Sequence, residues 1–131
     1  MTLMKDIFQN ADWKTEKHVP AIELPARVSK DEMFEINVTV GKQIPHPNTS
    51  EHYIAWMEVY FLPQGGKFPY QLSRCEFAAH GASAQGPNTS GVYSFPEARV
   101  RMKTDKNGTI IACVYCNIHG LWENSAELTI G

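Results

Sequence analysis

Apolar and polar residues alternate with a period of two along most of this chain. The stretch FEINVTV at 34–40 places an apolar side chain at every second position, and ARVRMKT at 98–104 repeats the pattern. Successive side chains of a strand point to opposite faces, so the alternation predicts strands with one buried face. Only the first nine residues depart from it, and they predict a short helix or an irregular arm.

Strand-like segments recur at short intervals, separated by Gly, Pro and Asn. Their centres lie near residues 22, 35, 57, 73, 93, 101, 112 and 128. Seven or eight short strands at this spacing are typical of an antiparallel β-sandwich. The pattern therefore predicts an all-β fold.

Two segments support more specific predictions. YIAWMEVYFL at 53–62 is apolar on both faces, which is typical of a central strand or of a strand whose outer face contacts another subunit. The pair Asn107-Gly108 predicts a type I′ turn, because both central residues of that turn need a positive φ. Such a turn would make 98–104 and 109–115 the two strands of one hairpin.

Composition and charge exclude several classes of protein. The chain has 131 residues, 43% of them hydrophobic and 20% charged, with a formal net charge of -2. This charge provides no basic field for a nucleic acid, and no segment approaches the roughly 20 apolar residues that span a bilayer. We therefore predict neither a nucleic-acid partner nor a membrane span. We expect one domain over residues 1–131, with 1–12 as an N-terminal arm.

Cysteine usage and the N-terminus bear on the cellular compartment. Three cysteines are an odd number and too few for the disulfide framework of a small secreted protein. Every apolar run of the first 14 residues is interrupted by polar side chains, so the apolar core of a signal peptide is missing. Both features predict a cytoplasmic protein.

The candidate chemistry begins with Cys116 and His119, at the end of a strand-like apolar run. Three interpretations are open: a metal site, a redox CxxC pair, or two buried thiols beside a surface histidine. A redox CxxC needs a helix after it, and the following residues do not start one. Cys113 lies three residues before Cys116, so the two side chains point to opposite faces. Because Cys113 shares its face with Ile111, we predict that it belongs to the core.

The remaining histidines are less informative one by one. His46 and His52 flank a short loop, and taken alone such a pair is more typical of ordinary surface residues. The charged stretch around His18 is by itself typical of a solvated face. Cys75 and His80 lie in no recognisable motif, and we assign them no function.

Taken together, these residues favour iron. Three separate loops offer four imidazoles and one thiolate, more ligands than the four of a closed structural zinc site. Five nitrogen and sulfur ligands suit iron and leave one position for a small molecule. A blue-copper site would need a methionine soon after His119, and the 2-His-1-carboxylate oxygenase triad uses no thiolate.

Three motifs in this order resemble those of the superoxide reductases, specifically the one-iron neelaredoxin type: EKHVP at 16–20, HPNTSEHYIAW at 46–56 and CNIHGLWENS at 116–125. The resemblance spans residues 12–130 and implies an immunoglobulin-like β-sandwich. Larger desulfoferrodoxin members carry an additional rubredoxin-like domain with four cysteines. This chain has no cysteine before Cys75, so we do not expect that domain.

The resemblance also implies a ligand set for one iron ion per chain, cycling between Fe²⁺ and Fe³⁺. The four equatorial ligands would be His18, His46, His52 and His119. Cys116 would be the axial ligand, with its sulfur accepting hydrogen bonds from the amides of Ile118 and His119.

Two further residues acquire a role only through the resemblance. Glu16 would occupy the sixth position in the resting ferric state, and Lys17 would lie beside the open site and attract the anion. The implied activity is the one-electron reduction of superoxide to hydrogen peroxide, with an external donor such as rubredoxin and a homotetrameric assembly. The alternatives are an electron-transfer iron protein, which would need neither residue, and a sandwich that binds a structural zinc ion.

Overall fold

The computed structural model describes residues 1–131 and contains one short helix and seven strands. Their bounds are α1 Met4–Ile7, β1 Ala21–Glu23, β2 Phe34–Thr39, β3 Ile54–Pro63, β4 Tyr70–Glu76, β5 Glu97–Met102, β6 Gly108–Cys116 and β7 Gly120–Leu128. A three-stranded sheet has the order β1-β2-β5, and a four-stranded sheet has the order β4-β3-β6-β7. Every pairing between these strands is antiparallel. The prediction of an all-β antiparallel sandwich is confirmed, with seven strands.

The hydrophobic core lies between the two sheets and follows the period-two pattern. Ile36 and Val38 of β2 are fully buried, and so are Ile110 and Val114 of β6. Fully burying a side chain of this size contributes about 1.5–3 kcal/mol, so the alternating positions hold the two sheets together.

Strand β3 is central in its sheet, as its two apolar faces predicted. It pairs with β4 on one side and with β6 on the other. A register shift between Ile54 and Trp56 marks an irregularity where β3 begins. Such bulges redirect the chain, and this one lies immediately after the loop that contains His52.

The prediction of a hairpin at Asn107-Gly108 is wrong. Strands β5 and β6 belong to different sheets, and neither residue has a positive φ. Gly108 is instead the first residue of β6, where an added Cβ would lie 2.4 Å from the carbonyl oxygen of Leu62. The Asn107 side chain accepts a hydrogen bond from the Ile130 amide at 2.7 Å. The Asn-Gly pair therefore reflects close backbone approach and not a tight turn.

Two further segments differ from, or refine, the sequence prediction. The strand expected near residue 93 is reduced to an isolated bridge between His80 and Tyr93. The N-terminal segment contains α1, whose residues are all exposed, and then adds a parallel bridge from Gln9 to Trp122 of β7. No helix of the structure combines the length and the apolar character needed to cross a bilayer.

Candidate metal centre

Four imidazole rings from three loops form a closed circuit at one end of the sandwich. Neighbouring ring centroids are separated by 4.9 Å (His18 to His46), 4.8 Å (His46 to His52), 5.0 Å (His52 to His119) and 4.8 Å (His119 to His18). The diagonal from His18 to His52 is longer, at 6.4 Å. The four rings therefore lie at the corners of an approximate square.

A thiol joins this group of histidines. One donor atom from each of His18, His52, Cys116 and His119 lies within 4.8 Å of the other three. His46 is outside this tightest group, although its ring lies between those of His18 and His52. The structure thus brings together five side chains that are up to 101 positions apart in the sequence.

Cys116 reaches the cluster because it is the last residue of β6 and lies on the buried face of that strand. It is 0% exposed and packs in the hydrophobic core. Cys113 points to the opposite face, as predicted, but that face is not the core. The core face consists of Ile110 and the alternate residues after it, whereas the Cys113 sulfur lies 3.7 Å from the Glu58 carboxylate.

A tight turn returns the chain from Cys116 to His119. Gly120 has a φ of +81°, a conformation that glycine adopts at little cost, and it pairs with Cys116 as β7 begins. The turn aims the amide of His119 at the Cys116 sulfur, 3.4 Å away. The expected bond from His119 is confirmed, while the amide of Ile118 makes no such bond in the structure.

Hydrogen bonds define the tautomers of two rings. Nδ1 of His18 donates to a Glu16 carboxylate oxygen at 2.6 Å, and Nδ1 of His46 donates to the carbonyl oxygen of Pro47 at 2.6 Å. Both partners accept, so the proton of each neutral ring is on Nδ1 and the lone pair is on Nε2. Nε2 of His18 faces the cluster, where it lies 3.2 Å from Nδ1 of His119.

Two buried nitrogens lack any partner in the protein. Nε2 of His46 and Nε2 of His52 are both enclosed and form no hydrogen bond. Leaving a buried polar atom unpaired costs about 1–3 kcal/mol, and native proteins rarely accept that cost without a ligand. Two orphaned ring nitrogens within one cluster of imidazoles and a thiol fit a single bound metal ion.

Neighbouring residues hold the rings in place. The Trp122 indole stacks on the His18 ring at 4.8 Å with an interplanar angle of 12°, and its Nε1 donates to the carbonyl oxygen of His119 at 3.2 Å. The Asn117 side chain bonds the backbone of Tyr53 and of Glu51, which ties the turn after Cys116 to the His52 loop. Sequence reasoning missed both residues, although both lie inside the quoted motif CNIHGLWENS.

Glu16 lies at the edge of the cluster in a position that the sequence did not predict. One oxygen of its carboxylate accepts from both the amide of His18, at 2.9 Å, and the ring Nδ1 of His18. Burial tends to raise the pKa of this carboxyl group, but the bonds from His18 outweigh that effect and the pKa is lowered. Glu16 is therefore ionised and bound to the outer side of the His18 ring.

Lys17 is half-buried next to the cluster and takes part in none of the ion pairs of the protein. Burial is the main reason that the pKa values of His46 and His52 are lowered, that of His46 to about 4. The charge of Lys17 contributes in the same direction to both. The rings of His46 and His52 are therefore neutral near neutral pH, which is the form that binds metals.

The lowered pKa of His46 predicts that the metal-free protein is sensitive to acid. Below the ordinary pKa of 6.5 the unfolded chain binds a proton that folded His46 takes up only near pH 4. The free energy of unfolding should thus fall as the pH drops from about 6.5 to about 4, with His46 contributing on the order of 1–3 kcal/mol. Urea unfolding of the chelator-treated protein at a series of pH values between 6.5 and 4 measures this free energy. An unchanged pH slope in His46→Gln would contradict the assignment to His46.

Together, the fold and the cluster define a class of protein: an antiparallel sandwich with four imidazoles and a thiol gathered at one end, a set of side chains that fits one metal ion. The desulfoferrodoxin family model matches residues 10–125. The chain belongs to the desulfoferrodoxin family.

Similarity to individual members extends over almost the entire chain. The superoxide reductase of Pyrococcus furiosus is 52% identical over 126 residues, which cover 96% of this chain and 99% of that protein. The neelaredoxin of Megalodesulfovibrio gigas is 49% identical over 127 residues, covering 97% and 98%. The structure of superoxide reductase (neelaredoxin) from Archaeoglobus fulgidus in the reduced form has a TM-score of 0.88 and 56% identity, covering 95% of this chain and 99% of that one.

Proposed function

We propose that this protein is a superoxide reductase, which reduces superoxide by one electron to hydrogen peroxide. The observation that carries the proposal is the square of four imidazole rings with a buried thiol at the same end of the sandwich. The family membership, and the names of relatives that match nearly end to end, support the same activity.

The proposed cofactor is one iron ion per chain, bound within residues 1–131 acting as a single domain. Its ligands would be the four histidines at the corners of the square, His18, His46, His52 and His119, together with Cys116. Both imidazole and thiolate suit iron, and a set of five leaves one position for a small molecule. When bound there, iron would supply the single electron that each superoxide anion needs, and two protons would complete hydrogen peroxide.

Residues around the square would then serve the substrate. Lys17 places an unpaired positive charge beside the neutral rings and so attracts a small anion to them. Glu16 bonds the outer nitrogen of His18, and in this arrangement its carboxylate fixes the ring with Nε2 free to bind the metal. The resemblance implied Glu16 as a sixth ligand, and in this structure one oxygen of its carboxylate is bonded to His18.

Three expectations about partners and compartment complete the proposal. All three cysteines are free thiols, which suits the reducing environment of the cytoplasm. An external, rubredoxin-like donor would return the electron that the iron supplies. The half-buried outer face of β3, which includes Trp56 and Tyr60, is consistent with a homotetramer.

The visible spectrum of the oxidised protein, combined with metal analysis and superoxide consumption, tests the proposed function. We expect about one iron ion per chain and an absorption band from thiolate-to-iron charge transfer. Zinc in place of iron would support a structural sandwich, and the charge-transfer band without superoxide consumption would support an electron-transfer protein. Either result would overturn the proposal.

Replacing Glu16 should change the resting state more than it changes metal content. We expect Glu16→Ala to bind iron and react with superoxide, because five other side chains would hold the metal. Its oxidised form should become open to added azide, because the variant has no carboxylate for the sixth position that the resemblance gives to Glu16. Glu16→Gln is the matched control, since its amide oxygen still accepts from His18. Azide titrations followed by absorbance, together with iron analysis, measure the effect. Iron loss as severe as in His46→Ala would show that Glu16 is needed to hold the metal, which contradicts this prediction.

A further inference from the structure

His80 is the one histidine outside the square, and it is among the most buried polar residues of the protein. It is 7% exposed and lies in the connection between β4 and β5. Its neighbours come largely from residues 46–53, which we call the histidine loop because it contains His46 and His52. No motif in the sequence indicated a contact between these two regions.

Both ring nitrogens of His80 face hydrogen-bond acceptors. Nδ1 lies 2.8 Å from the side-chain oxygen of Asn48, and Nε2 contacts the carbonyl oxygen of Phe77. The orientation of Asn48 is determined by its own amide nitrogen, which donates to the carbonyl oxygen of Ser94 at 2.8 Å. The ring of His80 is therefore fixed between two acceptors, a side-chain oxygen of residues 46–53 and a backbone carbonyl oxygen three residues before His80.

His80 contacts the histidine loop at three points. Its ring bonds Asn48, its face stacks on the Tyr53 ring at 3.8 Å with an interplanar angle of 11°, and its carbonyl oxygen accepts from the Ser50 hydroxyl at 2.8 Å. These contacts lie between and directly after the two histidines that define the loop. A single buried residue thus contacts the segment that carries two corners of the square, twice through its side chain and once through its backbone.

A second residue of the same connection reinforces this contact. The Asn88 side-chain oxygen accepts from the backbone amide of Ser50 at 2.9 Å, and the backbone amide of Asn88 donates to the Ser50 hydroxyl at 2.9 Å. Asn88 also bonds the Glu51 carboxylate and has a positive φ of 56°, an uncommon conformation outside glycine. The connection between β4 and β5 therefore contacts the histidine loop through its backbone as well as through His80.

We propose that His80 is a positioning residue that presets the histidine loop for metal binding. The inference rests on the proposed function, since it concerns how the same centre is assembled. Nε2 of His46 and Nε2 of His52 are held in place without any bond of their own, so the loop backbone must determine where they lie. Residues that orient ligands typically contribute about 10–100-fold to metal affinity.

The metal affinity of the folded, metal-free protein shows whether His80 positions the histidine loop or only stabilises the fold. We would titrate cobalt(II) in competition with a chelator and follow its visible absorption. The variants are His80→Phe, which keeps an aromatic ring against Tyr53 but no donor, His80→Gln, which keeps one donating amide, and Asn48→Ala. Val100→Ala is the matched control, because it removes buried volume from β5 and lowers stability without altering the histidine loop.

We expect cobalt(II) affinity to fall about tenfold in His80→Phe and in Asn48→Ala, and less in His80→Gln. The double variant His80→Phe/Asn48→Ala should lose little more affinity than either single variant, because both changes remove the bond between His80 and Asn48. Val100→Ala should lose stability and keep its affinity. If His80→Phe does not fold, Asn48→Ala and His80→Gln still decide the question.

Two outcomes would overturn the proposal in different ways. Wild-type affinity in a folded His80→Phe or in Asn48→Ala, or an equal loss in Val100→Ala, would reduce His80 to a structural residue and leave the proposed function intact. A wild-type protein that binds neither cobalt(II) nor iron would overturn the proposed function, and the positioning role of His80 with it.

Discussion

Cys116→Ser should abolish the charge-transfer colour and reduce superoxide reduction by roughly 100-fold or more, while some iron stays bound. Removing residues that merely orient a ligand already costs about 10–100-fold, and here the only sulfur among the proposed ligands is removed. A hydroxyl group stays largely protonated near neutral pH and donates far less electron density than a thiolate does. Absorption spectra, iron analysis and superoxide consumption of the purified variant measure the three effects.

The other two cysteines provide matched controls for this experiment. Cys113 points away from the centre, and burial beside Glu58 raises the pKa of its thiol to about 12, so it carries no thiolate to offer a metal. Cys75 lies in β4, on a different strand, and its sulfur is close to the Ser73 hydroxyl. Cys113→Ser and Cys75→Ser should keep both colour and activity. Bleaching in Cys113→Ser would show that the sulfur ligand has been assigned to the wrong residue.

Lys17→Ala should slow the second-order reaction with superoxide by about tenfold or more, with iron content unchanged. The lysine has no carboxylate partner, and its charge already perturbs His46 and His52. Electrostatic steering of this kind raises association rates and weakens as salt screens the charge. The wild-type rate should therefore fall with ionic strength, and the rate of Lys17→Ala should depend on salt much less.

Lys17→Arg is the matched control, because it keeps the charge on a side chain of similar length. Pulse-radiolysis rates of the three proteins over a series of salt concentrations measure the effect. We expect Lys17→Arg to keep most of the wild-type rate and its salt dependence. Equal rates and equal salt slopes in all three proteins would mean that the attraction arises from the metal alone, and Lys17 would then have no place in the site.

The proposed ligand residues could be named from the sequence because three short motifs, in this order, resemble those of a known family. The contacts that hold these residues in place could not be predicted from the sequence. Trp122 stacks on His18 and Asn117 joins two loops, yet an indole or an amide inside a motif does not indicate what it contacts. The contact of Glu16 could not be predicted either. The resemblance implied a place on the metal, whereas its carboxylate bonds the outer nitrogen of His18 in the structure.

The amino-acid pattern by itself indicated all seven strands, because alternation with a period of two depends only on which face of a strand is buried, and it failed only near residue 93. It indicated a central strand, or a strand with an outer subunit contact, for the segment that became β3, because that segment is apolar on both faces; the sheet order shows that β3 is central. The pairing of strands depends on contacts between distant residues, and so the tertiary structure alone decided that β5 and β6 lie in different sheets. The tertiary structure also decided which face of β6 is the core, and it brought His80 against the histidine loop. These outcomes depend on how the two sheets pack, which no local pattern records.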